Sequence, residues 1–319
     1  MTEPQASTEH PNPWRPGPPD PWDAHAAWWQ DEFTEGADPE YVEQILPLIA
    51  SRLPAEGRVL DVGCGEGQVT RLAVEHGLCA VGLDPAGAQI DEAERRRRAR
   101  AVSPGGEAAV SPGGEAAVSP GGEAAVSPGG EAAVSPGGEA AVSPGGEAAY
   151  ARGSLLDLPV GDATVDFVVA SLVFEHVGDY RRGLAEAARV LVPGGRFLLL
   201  LNHPLLQTPD SGWIDDHVLD PPEQYWRIGP YLSEVINVEE VQPGIHITFH
   251  HRPLSSYLNS AISVGLSLDR MDEPAPPPGF IARAPEYAEV VEIPRLMALQ
   301  FTRTPALHAI GQPPPDQAQ

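Results

Sequence analysis

The stretch Val59-Leu-Asp-Val-Gly-Cys-Gly-Glu-Gly67 decides how this chain folds. Arg58–Val62 is a short apolar run closed by Gly63, the signature of a buried strand. Gly63, Gly65 and Gly67 follow at alternate positions, where a chain without Cβ atoms turns tightly and comes close to a ligand. Gln68–Glu75 then takes up a helical pattern, with free N–H groups in its first turn and Gly77 placed as its C-terminal cap. A strand that empties through a glycine turn into a helix predicts a nucleotide-type site at the C-terminal ends of parallel strands.

The neighbouring segments extend the same rhythm. Cys79–Leu83 reads as a second strand ending at Asp84-Pro85, followed by a helix from about Ala88 to Arg98. Tyr150–Leu155 and Val165–Ser171 read as strands, Tyr180–Leu191 as a helix, Pro193-Gly194-Gly195 as a turn and Arg196–Leu201 as the most apolar strand. Strands alternating with helices imply a parallel sheet with right-handed crossovers. Further on, a helix is expected near Leu254–Val264 and strands near Leu266–Met271 and Leu296–Thr302. The expected fold is α/β: a Rossmann-like, seven-stranded, mostly parallel sheet with helices on both faces and its last strand antiparallel. Upstream, Trp22 to Leu53 reads as a helix ended by Pro54, a lid carrying Trp28, Trp29 and Tyr41. Residues 204–243 are polar, aromatic and Pro-punctuated, which suggests an insert over a site.

Three segments stand apart. Residues 1–22 hold seven prolines and little to bury, and read as a disordered arm. Residues 101–148 are Ala-Val-Ser-Pro-Gly-Gly-Glu-Ala written six times. That period fits neither a collagen triplet nor a heptad, so a tolerated, disordered surface insertion is expected, interrupting one domain over 23–303. Residues 304–319 read as a disordered tail.

Composition narrows the function. The 319 residues carry 45 Asp plus Glu against 20 cations, all of them Arg, for a net charge of −25. Such a chain lacks the basic face with which proteins displace counterions from nucleic acid. No apolar run approaches the length needed to cross a bilayer, and the polar, Pro-rich start is unlike a secretory signal. Two cysteines are too few for a disulfide framework. These features predict a cytoplasmic protein with neither nucleic-acid nor membrane partners.

The spacing also bears on the ligand. Asp84 lies 23 residues after Asp61, where an acid that grips both ribose hydroxyls belongs. A dinucleotide fingerprint wants its third glycine at position 68, which here is Gln. Asp61, two residues before the first glycine, suits an ammonium-bearing ligand better than a pyrophosphate. A sulfonium carrying an amino acid and an adenosine meets all three observations.

Asp61-x-Gly63-x-Gly65-x-Gly67 with Gly82-Leu-Asp84 resembles the class I S-adenosylmethionine-dependent methyltransferases, in particular the small-molecule branch that includes the ubiquinone and menaquinone C-methyltransferases. Gly153–Pro159, Val165–Ser171 with Phe174-Glu-His176-Val, and Ala188–Arg196 resemble that family's later segments in the same order. The resemblance implies S-adenosylmethionine as cofactor and a small-molecule acceptor methylated on O, N or C by direct displacement. It implies that Gly63 and Gly65 line the methionine moiety, with Gly67 also among the cofactor-binding residues and Asp61 turned to the amino group. Asp84 would hold the ribose, and Leu83 and Pro85 would flank the adenine. Ser154 stands where many members have an Asp for the adenine amino group, leaving Leu155 to contribute its backbone. Ser171 would lie near the reacting methyl.

His176 is the candidate general base, since imidazole titrates near neutrality. His203, His250 and His251 are expected on the same side of the sheet, without the spacing of a metal site. Two other readings stay open: a cofactor-binding but inactive regulatory or scaffold protein, and a nicotinamide-dependent oxidoreductase.

Overall fold

A computed structural model describes residues 20–102 and 148–304. Most of the proline-rich arm, the repeat and the C-terminal tail therefore lie outside the described residues. In chain order the elements are α1 (Ala26–Phe33), α2 (Leu46–Arg52), β1 (Arg58–Val62), α3 (Gln68–Glu75), β2 (Cys79–Asp84), α4 (Gly87–Val102), β3 (Ala149–Arg152), β4 (Val165–Ser171), α5 (Tyr180–Val190) and β5 (Leu191–Asn202). They continue with β6 (Gly212–Asp216), β7 (Glu223–Arg227), β8 (Val235–Gln242), β9 (Ile245–His251), α6 (Leu254–Ser263), β10 (Leu266–Asp272), α7 (Pro278–Arg283) and β11 (Leu296–Arg303).

Seven strands form one sheet in the order β10-β11-β5-β4-β1-β2-β3. The pairs β3–β2, β2–β1, β1–β4 and β4–β5 are parallel, and β11 runs antiparallel to both its neighbours. The seven-stranded, mostly parallel sheet with an antiparallel last strand is thus present. Its central strands carry apolar side chains on both faces, because both faces are covered. Phe167 and Val169 of β4, with Leu198 and Leu200 of β5, face one core with Ile45, Ile49 and Ala73. Val168 and Ala170, with Phe197, Leu199 and Leu201, face the other with Leu184, Tyr257 and Phe301.

Strand order reverses between β1 and β4, so the chain leaves β1 toward β2 and leaves β4 toward β5, opening a crevice at their C-terminal ends. Helix α4 crosses from β2 to β3 and runs back toward the edge where the strands begin. The repeat is attached between its end at Val102 and Ala149.

Several segments differ from the sequence reading. The single helix expected over 22–53 is broken, because Pro39 disfavours helical backbone at Asp38, whose Oδ1 caps Glu40 N–H at 3.0 Å. Its second half opens with a π-helical turn, Tyr41–Ile45. Trp22, placed in the arm by composition, lies in a 3-10 turn, Pro21–Ala24, with Asp20 as its N-cap. Strand β3 stops at Arg152, and Ser154–Asp157 forms a turn closed by Asp157 N–H on Ser154 O at 3.0 Å. Pro193-Gly194-Gly195 protrudes within β5, where pairing to β4 jumps from Leu191–Val165 to Arg196–Phe167. The insert over 204–243 carries β6 and β7, paired as a hairpin, and β8, which pairs with β9.

Candidate active site

The crevice holds a cavity of about 290 Å³, the scale of small-molecule sites. Asp61, Gly63, Gly65, Asp84, Pro85, Ser154, Leu155, Ser171 and His176 all line it. Gly67 does not: it is the N-cap of α3 at φ +88°, where a Cβ would run into the Tyr150 ring. Gly63, at φ +71°, is closed off in the same way by Val173. The Gly-x-Gly-x-Gly spacing thus serves two ends, since Gly63 and Gly65 face the cavity while Gly67 lets the helix start beneath β3. Gly63 and Cys64 N–H groups donate to Leu83 O at 2.7 and 3.0 Å, which ties this turn to the end of β2.

Asp84 ends β2 and is 7 % exposed. Its Oδ2 accepts the Gly65 N–H and its Oδ1 the Ala86 N–H, each at 2.9 Å. A carboxylate offers about four lone-pair positions, so each oxygen retains one for a ligand donor. Burial raises its pKa to about 6, against the lowering effect of those two N–H groups and with Asp20 and Asp23 adding to the rise. Asp61 is 1 % exposed and accepts the Thr70 hydroxyl at 2.7 Å. Burial pushes it up to about 7, with the Thr70 hydrogen bonds acting the other way. Ser154 Oγ accepts Leu156 N–H at 3.1 Å, leaving the hydroxyl proton free to donate. The Ser171 hydroxyl is buried beside the Tyr41 hydroxyl, which it helps to hold against the effect of burial.

His176 sits in a 3-10 turn, Phe174–His176, after β4. Its Nδ1 lies 3.0 Å from Thr248 O; a carbonyl only accepts, so Nδ1 carries the proton and Nε2 the lone pair. Burial drives its pKa down to about 4, opposed by the Thr248 carbonyl and aided by His250. It is therefore a neutral hydrogen-bond acceptor near pH 7 rather than a base that retains a proton. Arg252 braces this turn from beneath, donating to Phe174 O at 3.1 Å, Val177 O at 2.6 Å and Gly178 O at 2.9 Å.

The other histidines are not brought to the cavity. His203 bonds Glu273 Oε1 at 2.8 Å through Nε2 and accepts Leu205 N–H at Nδ1, while His251 Nε2 bonds Tyr231 O. His250 also lies outside the cavity lining.

Sequence reasoning missed part of the wall. Asp20 and Trp22 line the cavity, and Asp20 followed by Pro21 at N1 was a legible helix-start signal inside the arm. Leu172 also lines it with a left-handed φ of +57°, a strained backbone of the kind that gathers at sites and that no local sequence signal announces. Trp29 Nε1 lies beside Gly65, 3.6 Å from where a Cβ would stand.

A family model described as "Methyltransferase domain" matches residues 33–227, three fifths of the chain. The chain belongs to the methyltransferase domain family. This methyltransferase domain is 47 % identical over 51 residues to a demethylmenaquinone methyltransferase of Deinococcus radiodurans, covering 16 % of this chain and 21 % of that one. It is 24 % identical over 221 residues to a 27-O-demethylrifamycin SV methyltransferase of Amycolatopsis mediterranei, covering 68 % and 62 %. The chain thus spans under two thirds of either curated relative. Among solved structures, an S-adenosylmethionine-dependent methyltransferase from Mesorhizobium loti superposes with a TM-score of 0.56 at 23 % identity, over 81 % of this chain and 96 % of that one. That likeness establishes the shared fold. No helix among the described residues is long and apolar enough to cross a membrane.

Proposed function

We propose that the methyltransferase domain binds S-adenosylmethionine in this cavity and transfers its methyl group to a small-molecule acceptor by direct displacement. Asp84 carries the reading. A buried carboxylate at the tip of β2, pinned by two N–H groups and with one lone pair spare on each oxygen, matches a ribose cis-diol. The residues around it fit the rest of the cofactor. Gly63 and Gly65 admit its backbone-like methionine end where a side chain would block it. Asp61 meets the ammonium, Pro85 and Leu155 flank the base, and the Ser154 hydroxyl has a proton to donate to it. Ser171 offers a hydroxyl at the tip of β4.

The sulfonium supplies an electrophilic methyl group, so the protein's part is to position, desolvate and exclude water. His176 Nε2 accepts a hydrogen bond from the acceptor without taking its proton. Calorimetric titration with S-adenosylhomocysteine tests the reading directly: a single site is expected, and no detectable binding would overturn it. Mass spectrometry after incubation with S-adenosylmethionine and a metabolite extract should then show one species heavier by a methylene unit.

The raised pKa of Asp61 gives a pH signature. In the free protein burial favours its neutral form up to about pH 7, whereas the ligand ammonium favours the carboxylate. Binding therefore expels a proton below pH 7, and affinity for S-adenosylhomocysteine should fall as pH drops, approaching about tenfold per unit. Titrations at pH 6 in two buffers of unlike ionisation enthalpy would register the released proton. A pH-independent affinity between 5.5 and 8 would show that Asp61 does not meet the amino group.

A further inference from the structure

The cavity lining has an unusual chemical balance. Its rings form a continuous chain: Trp22 lies edge-on to His176 at 5.0 Å and to Trp29 at 6.0 Å, and Trp29 lies edge-on to Tyr41 at 6.2 Å. Asp20, whose Oδ1 accepts the Trp22 N–H at 2.9 Å, sets a carboxylate beside these rings. The lining contains Asp20, Asp61, Glu66 and Asp84 but no Arg. Glu66 is neutralised by Arg71 and Arg96, which pair with it from outside the lining; the cofactor reading engages Asp61 and Asp84, so Asp20 is the lining acid left to an acceptor. Ser171, 8 % exposed, adds a buried hydroxyl beside Tyr41 to the same wall.

From this cage of rings and acids we infer that the acceptor is an amine, methylated on nitrogen, with Trp22, Trp29, Tyr41 and His176 enclosing the ammonium product. The inference rests on the cofactor reading above and specifies its acceptor. The nitrogen lone pair forms the new bond to the methyl carbon as the C–S bond breaks, and that bond's electron pair goes to sulfur. Positive charge passes from sulfur to nitrogen beside the ring faces and the Asp20 carboxylate. The amine enters as its free base, having lost its ammonium proton to water; a tertiary amine then releases no further proton, and a secondary amine gives one up to water after transfer.

An oxygen acceptor faces the opposite conditions. A hydroxyl must lose its proton on methylation, and an alkoxide or phenolate would meet the Asp20 carboxylate with no lining Arg to stabilise it. His176, held neutral between Trp22 and Phe249 at ring distances of 5.0 and 4.8 Å, is a poor store for that proton.

The test uses two probes of one shape that differ in charge, choline and 3,3-dimethylbutan-1-ol, titrated into the full chain saturated with S-adenosylhomocysteine while tryptophan fluorescence is followed. A cation over aromatic faces gains about 0.5–2 kcal/mol, so choline should bind about tenfold more tightly than its neutral counterpart. Trp22→Leu should erase most of that preference. Equal affinities, preference for the neutral probe or no choline binding would each overturn the amine acceptor. Failure to bind S-adenosylhomocysteine in the first step would instead overturn the cofactor reading.

Discussion

Asp84→Ala lowers the affinity for S-adenosylhomocysteine by at least about a hundredfold. Two hydrogen bonds to a charged group are lost with the ribose, each contributing about 1.5–3 kcal/mol, and a hundredfold change is about 2.7 kcal/mol. A second loss accompanies the first. The Gly65 and Ala86 N–H groups that now point at the carboxylate lose their partner, so the glycine turn no longer has a fixed distance from β2. Calorimetry reads the affinity, and near-UV circular dichroism separates it from unfolding. Asp84→Asn is the informative companion, since it keeps the shape but offers one acceptor oxygen in place of two. It should fall between wild type and Ala. Wild-type affinity in Asp84→Ala would remove the observation on which the proposed function stands.

Gly63→Ala is expected to be among the more damaging small changes in the domain. Its φ of +71° is a conformation in which a Cβ costs about 1–2 kcal/mol, and the new methyl would occupy the place of the Val173 side chain. Val173 belongs to the turn that carries His176, so the clash is relieved only by moving that turn or the end of β1. Overpacking adds about 1–3 kcal/mol, and the total is a large share of the stability of a natural domain. Thermal unfolding should show a midpoint lower by several degrees, together with loss of S-adenosylhomocysteine binding. Gly63→Ala with Val173→Ala should recover part of the midpoint, because the second change removes the obstacle but leaves the backbone strain. A midpoint unchanged in the single variant would show that the turn deforms freely.

Sequence made the central sheet legible because parallel strands are buried on both faces, and their apolar runs have sharp ends. Arg58–Val62 and Val165–Ser171 begin and end in the structure where their composition changes. The glycine turn and Asp84 were legible because each is required by local geometry: a Cβ at Gly63 collides, and an acid at a strand tip meets N–H groups from the next turn. What sequence hid was decided at long range. The proton of His176 is fixed by Thr248, 72 residues away, and its surroundings include Trp22, 154 positions upstream. Periodicity carries no such information, and Pro-rich composition assigned Trp22 to the arm. The helix break before Tyr41 follows from Pro39, a signal present in the sequence but outweighed by the apolar spacing on either side.

Helix α4 gives the octapeptide tract a particular address. Its departure point at Val102 and its return at Ala149 lie at the foot of the sheet, the opposite end from Asp61, Asp84 and His176. A tract of any whole number of units joins the same two points, and Asp61, Asp84 and His176 all lie outside it. Tandem repeats gain and lose copies readily during replication, and here such slippage falls where it leaves the reading frame and the binding residues alike untouched. Natural variants of this chain that differ in copy number should therefore behave as the same methyltransferase.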